Sequence, residues 1–420
     1  MPNMSAEIEV GDTIFMAEAS DMSGIVPELQ GGADVYVQQF AVPFTYPVYF
    51  TENLFQSDNA VFINALTRLE GDRRHRFVVF IDEGVASSWQ NLADDVTRYA
   101  EVNAETIELV ATPEVIQGGE SVKNDPDLVS RLQKKMLDLG IDRHSFVVAI
   151  GGGALLDMIG YVAATTHRGL RMIRVPTTVL AQNDSGVGVK TGVSAWGSKN
   201  LLGSFAPPFA VLNDSAFLAT LSERDRRAGM AEAVKVALIR DGGFFAALEA
   251  NAEALAAFDP RAVNHLVRRC AELHMHQIAY GGDPFEAGSA RPLDYGHWAA
   301  HKLESITDHE VRHGEAVAIG MALDTRYSVA KGFLSAGCED RVCALLEKLG
   351  FDLWHSGLEA RDADGTLTVL AGLREFREHL GGELTITLLT GIGTGHEVNE
   401  MDEAVILDSM AWLKERNASR

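Results

Sequence analysis

The run Phe146-Val147-Val148-Ala149-Ile150 passes without a break into Gly151-Gly152-Gly153-Ala154-Leu155-Leu156-Asp157, and this feature most constrains the fold. A short, wholly apolar run bounded by glycines reads as a strand buried on both faces. The glycines then turn the chain into a helix. With no Cβ in the way, backbone there can approach a diphosphate, and the first helical N–H groups point outward. A plain strand-to-helix turn uses the same residues, and the spacing is not G-x-G-x-x-G.

The runs Phe77 to Ile81, Met172 to Val175 and Ala210 to Leu212 repeat the buried-strand pattern between helical stretches. Such alternation predicts an α/β domain over residues 39–215, a Rossmann-like parallel sheet with helices on both faces. Beyond about Ser215 the texture changes to Ala/Leu/Glu/Arg-rich stretches. Ser222-Glu223-Arg224-Asp225 is a helix-start signal, so residues 216–420 are expected to form an all-α domain. Residues 1–38 carry seven acidic residues and no Lys or Arg, which predicts a poorly ordered extension.

The 420 residues are enough for two or three domains. Lys and Arg number 36 against 59 Asp and Glu, a net charge of −23 that excludes a broad phosphate-tracking surface, so no nucleic-acid partner is expected. An anionic ligand must meet a local basic pocket. Three cysteines without metal-type spacing suggest reduced thiols and a cytoplasmic setting. No signal-peptide pattern or run of about 18 apolar residues is present, so no membrane partner is expected.

Several residues are candidates for chemistry. Asp82 closes a strand, where a carboxylate can bind a ribose hydroxyl, and Glu120 and Lys123 lie in a glycine-bearing loop. Pro176 to Asn200 holds Thr177, Thr178, Asp184, Lys190, Lys199 and Asn200 among glycines, a plausible anion pocket. Farther on, His297 and His301 stand four apart on one helix face. With Glu232 on a preceding helix and His313 beyond, they suggest a site for Zn²⁺ or Co²⁺ with an open position for a substrate oxygen.

In order, the segments GGGALLD, RGLRMIRVPTTVLAQNDSGVGVKTGV, GSKNLLGSF, AGMAEAVK, LDYGHWAAH and RHGEAVAIG resemble those of the sugar phosphate cyclases, the superfamily of 3-dehydroquinate synthase. The resemblance runs from about residue 45 to 395. It implies a dehydroquinate synthase-like fold, an NAD-binding α/β domain with a helical zinc domain, and a homodimer. Glu232, His297 and His313 would be the metal ligands and His301 a polar active-site histidine. NAD would meet Asp82, Glu120, Lys123, Gly152, Gly153, Asp157, Thr177, Thr178 and Lys199, with Gly84 standing where the family usually has Asn. A small-molecule sugar phosphate would meet Arg168, Asp184, Lys190, Asn200 and Lys235. Lys190, Lys235 and His301, with Asp184, are the expected catalytic groups. The implied chemistry is transient oxidation by NAD, phosphate elimination, re-reduction and an aldol closure.

The chain departs from the synthase where a substrate carboxylate would lie. Asp294 replaces Asn, and Ala290 replaces Arg, with Arg291 one place along. An expected lysine is missing near His274 and His276, and Phe376-Arg377-Glu378-His379 replaces Asp-Lys-Lys. A buried carboxylate without a cation is costly. These changes favour sedoheptulose 7-phosphate, with Asp294, Arg291 and His379 lining the substrate, and the resemblance to heptulose 7-phosphate cyclases, with His301 retained, implies a 2-epi-valiolone-type cyclitol. A 3-dehydroquinate synthase is the alternative. A polyol dehydrogenase would show net NADH formation, and the pocket residues Lys190, Lys199 and Asn200 argue against it. A binding module is disfavoured by the intact Glu232, His297, His301 and His313.

Overall fold

The computed structural model describes residues 40 and 42–420 apart from 197, 282–284, 286–291 and 380–383, with backbone alone at Pro292, Glu378 and His379. The expected extension, Ala290, Arg291, most of the Asp283 to Glu286 segment and the side chain of His379 therefore lie outside the described residues. The chain divides after Phe44, and Thr45–Arg420 form one compact unit. In the shorter unit, Phe40, Val42 and Phe44 are exposed.

The compact unit opens with β1 (Val48–Thr51), α1 (Val61–Thr67), β2 (His75–Asp82), α2 (Glu83–Ser88), α3 (Leu92–Val102), β3 (Ile107–Leu109) and β4 (Glu114–Ile116). It continues through α4 (Pro126–Asp138), β5 (Phe146–Gly151), α5 (Gly153–Thr165) and β6 (Arg171–Pro176). A hairpin, β7 (Lys190–Ala195) and β8 (Ser198–Phe205), precedes β9 (Ala210–Asp214). The sheet runs β1-β9-β6-β5-β2-β3, with β4 also on β2, and its pairings are parallel. Both faces are covered, as the unbroken apolar runs require. Phe77, Val79, Ile81, Phe146, Val148 and Ile150 pack toward α1 and α3, while Val78, Phe80, Val147 and Ala149 pack toward α4 and α5.

The chain leaves β2 toward β3, then returns to add β5 on the opposite side. That reversal opens a crevice beyond the carboxyl ends of β2 and β5, the usual ligand position in such sheets. Asp82 ends one strand and Gly151-Gly152-Gly153 the other.

The second half comprises α6 (Glu223–Arg240), α7 (Gly242–Ala250), α8 (Ala252–Ala256), α9 (Pro260–Tyr280), α10 (His297–Ile306), α11 (His313–Ala330) and α12 (Cys338–Lys348). It ends with α13 (Ala371–His379), an antiparallel pair β10 (Ile386–Gly391) and β11 (Thr394–Val398), and α14 (Glu403–Ala418). That pair corrects the all-α expectation for this half. Ser222 caps α6 by accepting from Asp225 N, as its sequence suggests. Gly229 to Ile239 are buried without interruption, so α6 is a central helix rather than an amphipathic one. Gly296 has φ +78°, and its carbonyl lies against Gly320 of α11 so closely that a Cβ there would clash. This contact seats the start of α10 on α11. No described helix is long and apolar enough to cross a membrane, and all three cysteines are free thiols.

Candidate active site

Three helices bring Glu232 (α6), His297 (first residue of α10) and His313 (first residue of α11) together, with one donor atom from each within 4.8 Å of the others. Glu232 is 1 % exposed. His313 Nε2 lies 3.2 Å and His297 Nε2 3.7 Å from the same oxygen, Glu232 Oε1. The other oxygen touches the Lys235 ammonium without hydrogen-bond geometry. Burial raises the Glu232 carboxyl, but Lys235 and the two imidazoles outweigh it and hold the group well below the usual carboxylate range. Burial, then the Lys235 charge, pushes His297 down and keeps its ring neutral. One ionised carboxylate and two imidazoles aimed at a common point fit a divalent cation such as zinc.

His301 lies one turn beyond His297, its ring 5.2 Å from that of His297 and 5.9 Å from that of His313. Its side chain keeps solvent access, yet its packed surroundings, then the neighbouring His313 charge, push its pKa down to about 4, so the ring is neutral and can accept a proton from a ligand in the cleft. Lys235 is buried one turn after Glu232. Burial lowers its pKa, but Glu232, Asp184 and then Asp294 outweigh that and hold it charged. Asp184, in a wide helical turn at Ala181–Ser185, lies 2.8 Å from His274 Nδ1 of α9.

At the β2/β5 crevice Asp82 caps α2, accepting from Gly84 N at 2.8 Å, and burial raises its pKa. Gly118 packs so closely on this carboxylate that a Cβ there would stand 2.7 Å from Oδ1. Gly152 caps α5, and Thr177 N donates to Gly151 O at 3.0 Å. Thr177 Oγ1 and Ser185 Oγ, buried around this turn, have no hydrogen-bond partner among the described residues. Orphan hydroxyls beside a Cβ-free helix N-terminus fit a bound diphosphate, so the residues suit a dinucleotide such as NAD. Thr178 Oγ1 accepts from Ala181 N instead.

Lys123 is buried and donates to Asp157 Oδ2 at 2.7 Å and to Asn200 Oδ1 at 3.0 Å. Lys199 Nζ lies 3.7 Å from Glu120 and 3.9 Å from Glu304 of α10. The hairpin tip thus touches both the nucleotide-side loop and the helix bearing His297. Lys190 is exposed at the hairpin base, where its carbonyl accepts from Arg174. Arg168 is not brought in. It is exposed in a left-handed turn beyond the far end of α5, about 20 Å from the glycine turn.

Sequence reasoning missed two groups. Glu304 is 4 % exposed, with Oε2 3.2 Å from His313 Nδ1. It falls seven residues after His297, on the stripe that already held His301, so spacing alone gave a signal. Arg174, fully buried, donates to the carbonyls of Gly186, Gly188 and Lys190 and shapes the glycine-rich loop from within. A separate hollow of about 560 Å³ beside Trp89, Tyr99 and Phe217 holds none of the candidate residues.

Residues 114–228 match the family described as 3-dehydroquinate synthase N-terminal, and residues 229–370 its C-terminal counterpart. The chain is 40 % identical over 275 residues to a 3-dehydroquinate synthase of Halorhodospira halophila, covering 64 % of this chain and 74 % of that protein. To a 2-epi-5-epi-valiolone synthase of Streptomyces glaucescens it is 37 % identical over 265 residues, 63 % of this chain and 66 % of that one. The fold matches a solved 2-epi-5-epi-valiolone synthase from Streptomyces hygroscopicus, which holds NAD⁺ and Zn²⁺. The TM-score is 0.78 with 29 % identity, over 91 % of this chain and all of the other.

Proposed function

The chain belongs to the 3-dehydroquinate synthase family of sugar phosphate cyclases, and on that footing we propose that it closes a heptulose 7-phosphate into a cyclitol with loss of phosphate. Sedoheptulose 7-phosphate is the favoured substrate and a 2-epi-valiolone type the favoured product. The observation that carries this choice is the charge around Lys235: Glu232 touches its ammonium, and Asp184 and Asp294 act on it through space. A single ammonium shared by three carboxylates has little charge left for a fourth, whereas a substrate hydroxymethyl can donate to Asp294.

In this reading Glu232, His297 and His313 hold zinc, while Asp82, Gly152, Gly153 and Thr177 cradle NAD. Zinc supplies Lewis acidity and a template for substrate oxygens, and NAD supplies reversible hydride acceptance. The chain's own groups do the rest. Lys190 and Asn200 meet the phosphate, Lys235 donates a hydrogen bond to a ring oxygen, and His301 moves protons between the cleft and solvent. Lys123 keeps Asp157 paired and the hairpin tip in place over the crevice.

The second reading, a 3-dehydroquinate synthase acting on 3-deoxy-arabino-heptulosonate 7-phosphate, is favoured by the relative of that name at 40 % identity. Purified, zinc-loaded protein with NAD⁺ is given each substrate separately, phosphate release is followed, and the product is identified by NMR. Turnover of sedoheptulose 7-phosphate alone supports the first reading. Turnover of the heptulosonate alone replaces it with the second, and release of NADH without phosphate rejects both. Size-exclusion chromatography with light scattering tests the homodimer that the resemblance carries.

A further inference from the structure

A neutral imidazole carries one N–H and one lone pair, and whatever faces one nitrogen decides which form the ring takes. His297 Nδ1 lies 3.0 Å from the carbonyl oxygen of Tyr295. A carbonyl can only accept, so Nδ1 holds the proton and Nε2 presents its lone pair toward Glu232. His313 differs, because an acceptor faces each of its nitrogens, and only the ligand set tells the two sides apart. Its ring is held between two carboxylates, Glu232 Oε1 at 3.2 Å on Nε2 and Glu304 Oε2 at 3.2 Å on Nδ1. Since Glu232 is the oxygen that His297 also approaches, the ligand side of His313 is Nε2 and the orienting side is Nδ1.

We propose that Glu304 is the positioning residue of the metal cluster: it takes the Nδ1 proton of His313 in a hydrogen bond, fixes the ring with Nε2 toward Glu232, and makes that nitrogen a better donor. The proposal rests on the reading of Glu232, His297 and His313 as metal ligands. Glu304 reaches no substrate or metal in this role. Its second oxygen lies 3.9 Å from Lys199 of the hairpin, so the buried carboxylate has a cation on its other side. It also stands on α10, the helix that supplies His297. One helix thus provides a ligand and the group that orients the ligand of its neighbour. Carboxylates behind metal-bound imidazoles typically account for about 10 to 100-fold in metal affinity.

A competing arrangement exists in the same side chains, because His301, Glu304 and His313 also bring donors within 4.8 Å of one another. There Glu304 would be a ligand rather than an orienting group. Zinc affinity of the full-length apo protein, measured by competition with a chromophoric chelator, separates the two. The variants are Glu304→Ala, Glu304→Gln, His297→Ala and His313→Ala, each checked by near-UV circular dichroism and by melting without metal.

The expected result is loss of tight binding in both histidine variants, a weakening of about 10 to 100-fold in Glu304→Ala, and a smaller weakening in Glu304→Gln, whose amide oxygen still accepts from Nδ1. Glu304→Gln carries the test if the alanine variant fails to fold. Affinity in both Glu304 variants within about twofold of the unaltered protein overturns the proposal, while His313→Ala still losing zinc would leave the metal reading standing. Tight zinc binding in His297→Ala together with its loss in Glu304→Ala overturns it in favour of Glu304 as a ligand. An unaltered protein that takes up no zinc overturns the metal reading itself and this proposal with it.

Discussion

Lys123 and Asn200 meet across 77 residues of chain, the buried ammonium donating to the amide oxygen at 3.0 Å. The contact fastens the tip of the β7–β8 hairpin to the surface of α5 through Asp157, which shares the same ammonium. Replacing Asn200 by Ala removes one partly buried bond to a charged group and puts Ala at φ +53°, where Asn is better tolerated, together about 2 to 4 kcal/mol. The expected outcome is a melting temperature lowered by only a few degrees and markedly faster tryptic cleavage at the exposed Lys199. Equal cleavage rates in the two proteins would show that the hairpin is held by something else.

Arg174 makes a different kind of prediction, because its partners are three backbone carbonyls and its side chain is fully buried. Arg174→Met leaves those carbonyls without donors and should destabilise the protein by about 3 kcal/mol or more. Arg174→Lys keeps the charge but cannot span all three carbonyls, so the loop carrying Lys190 should loosen while the fold survives. A several-fold rise in KM for the sugar phosphate, with kcat less affected, is the outcome to look for. Unchanged KM in a folded Arg174→Lys variant would separate the clamp from substrate binding.

Asp324 sits fully buried under the start of α10, accepting from Trp298 Nε1 at 2.9 Å and Gly296 N at 3.0 Å. Burial pushes its pKa up to about 7 against the two donors. The native state then binds more protons than the unfolded chain between about pH 4 and 7, so this group's contribution to stability falls as pH rises through that window. Above about pH 7 both states are ionised and the contribution is flat. Asp324→Asn removes the titration. Melting curves of both proteins at intervals from about pH 4.5 to 8 should show the variant gaining on the unaltered protein up to about pH 7, by a few kcal/mol overall. A constant difference would mean that Asp324 is ionised throughout.

What the sequence revealed and what it hid follow from where the information lies. The apolar run ending in Gly151 is a local signal, and the structure has the buried strand and glycine turn there. His297 and His301 were legible through helical spacing, yet Glu304 on the same stripe stayed hidden because a Glu on a helix is ordinarily solvated. Arg174 has no signature at all, since backbone carbonyls of a distant loop leave no mark on residue identity. Asp324 is equally silent, because its donors are a backbone N–H and an indole. The β10–β11 pair carried a readable signal, a β-branched run at Ile386-Thr387 and a Gly391-Ile392-Gly393 turn, which the helical texture around it masked. Arg168 belongs to the right motif, but the length of α5 carries it away from the crevice.

The order of strands has a consequence for how the molecule is made. β1 lies at the sheet edge and pairs with β9, and the N–H groups of Asn53 and Leu54 just after it are held by Asp214, about 160 residues later. On a translating ribosome the first strand emerges long before its partner. At roughly 5 to 20 residues per second it waits about 8 to 30 seconds with its edge unpaired. During that interval β2, β5 and β6 can already associate, so β9 arrives as the piece that recruits the oldest segment of the compact unit into the sheet. Nascent chains arrested before Ala210 should therefore expose Val48 to Thr51 to chaperones or to one another.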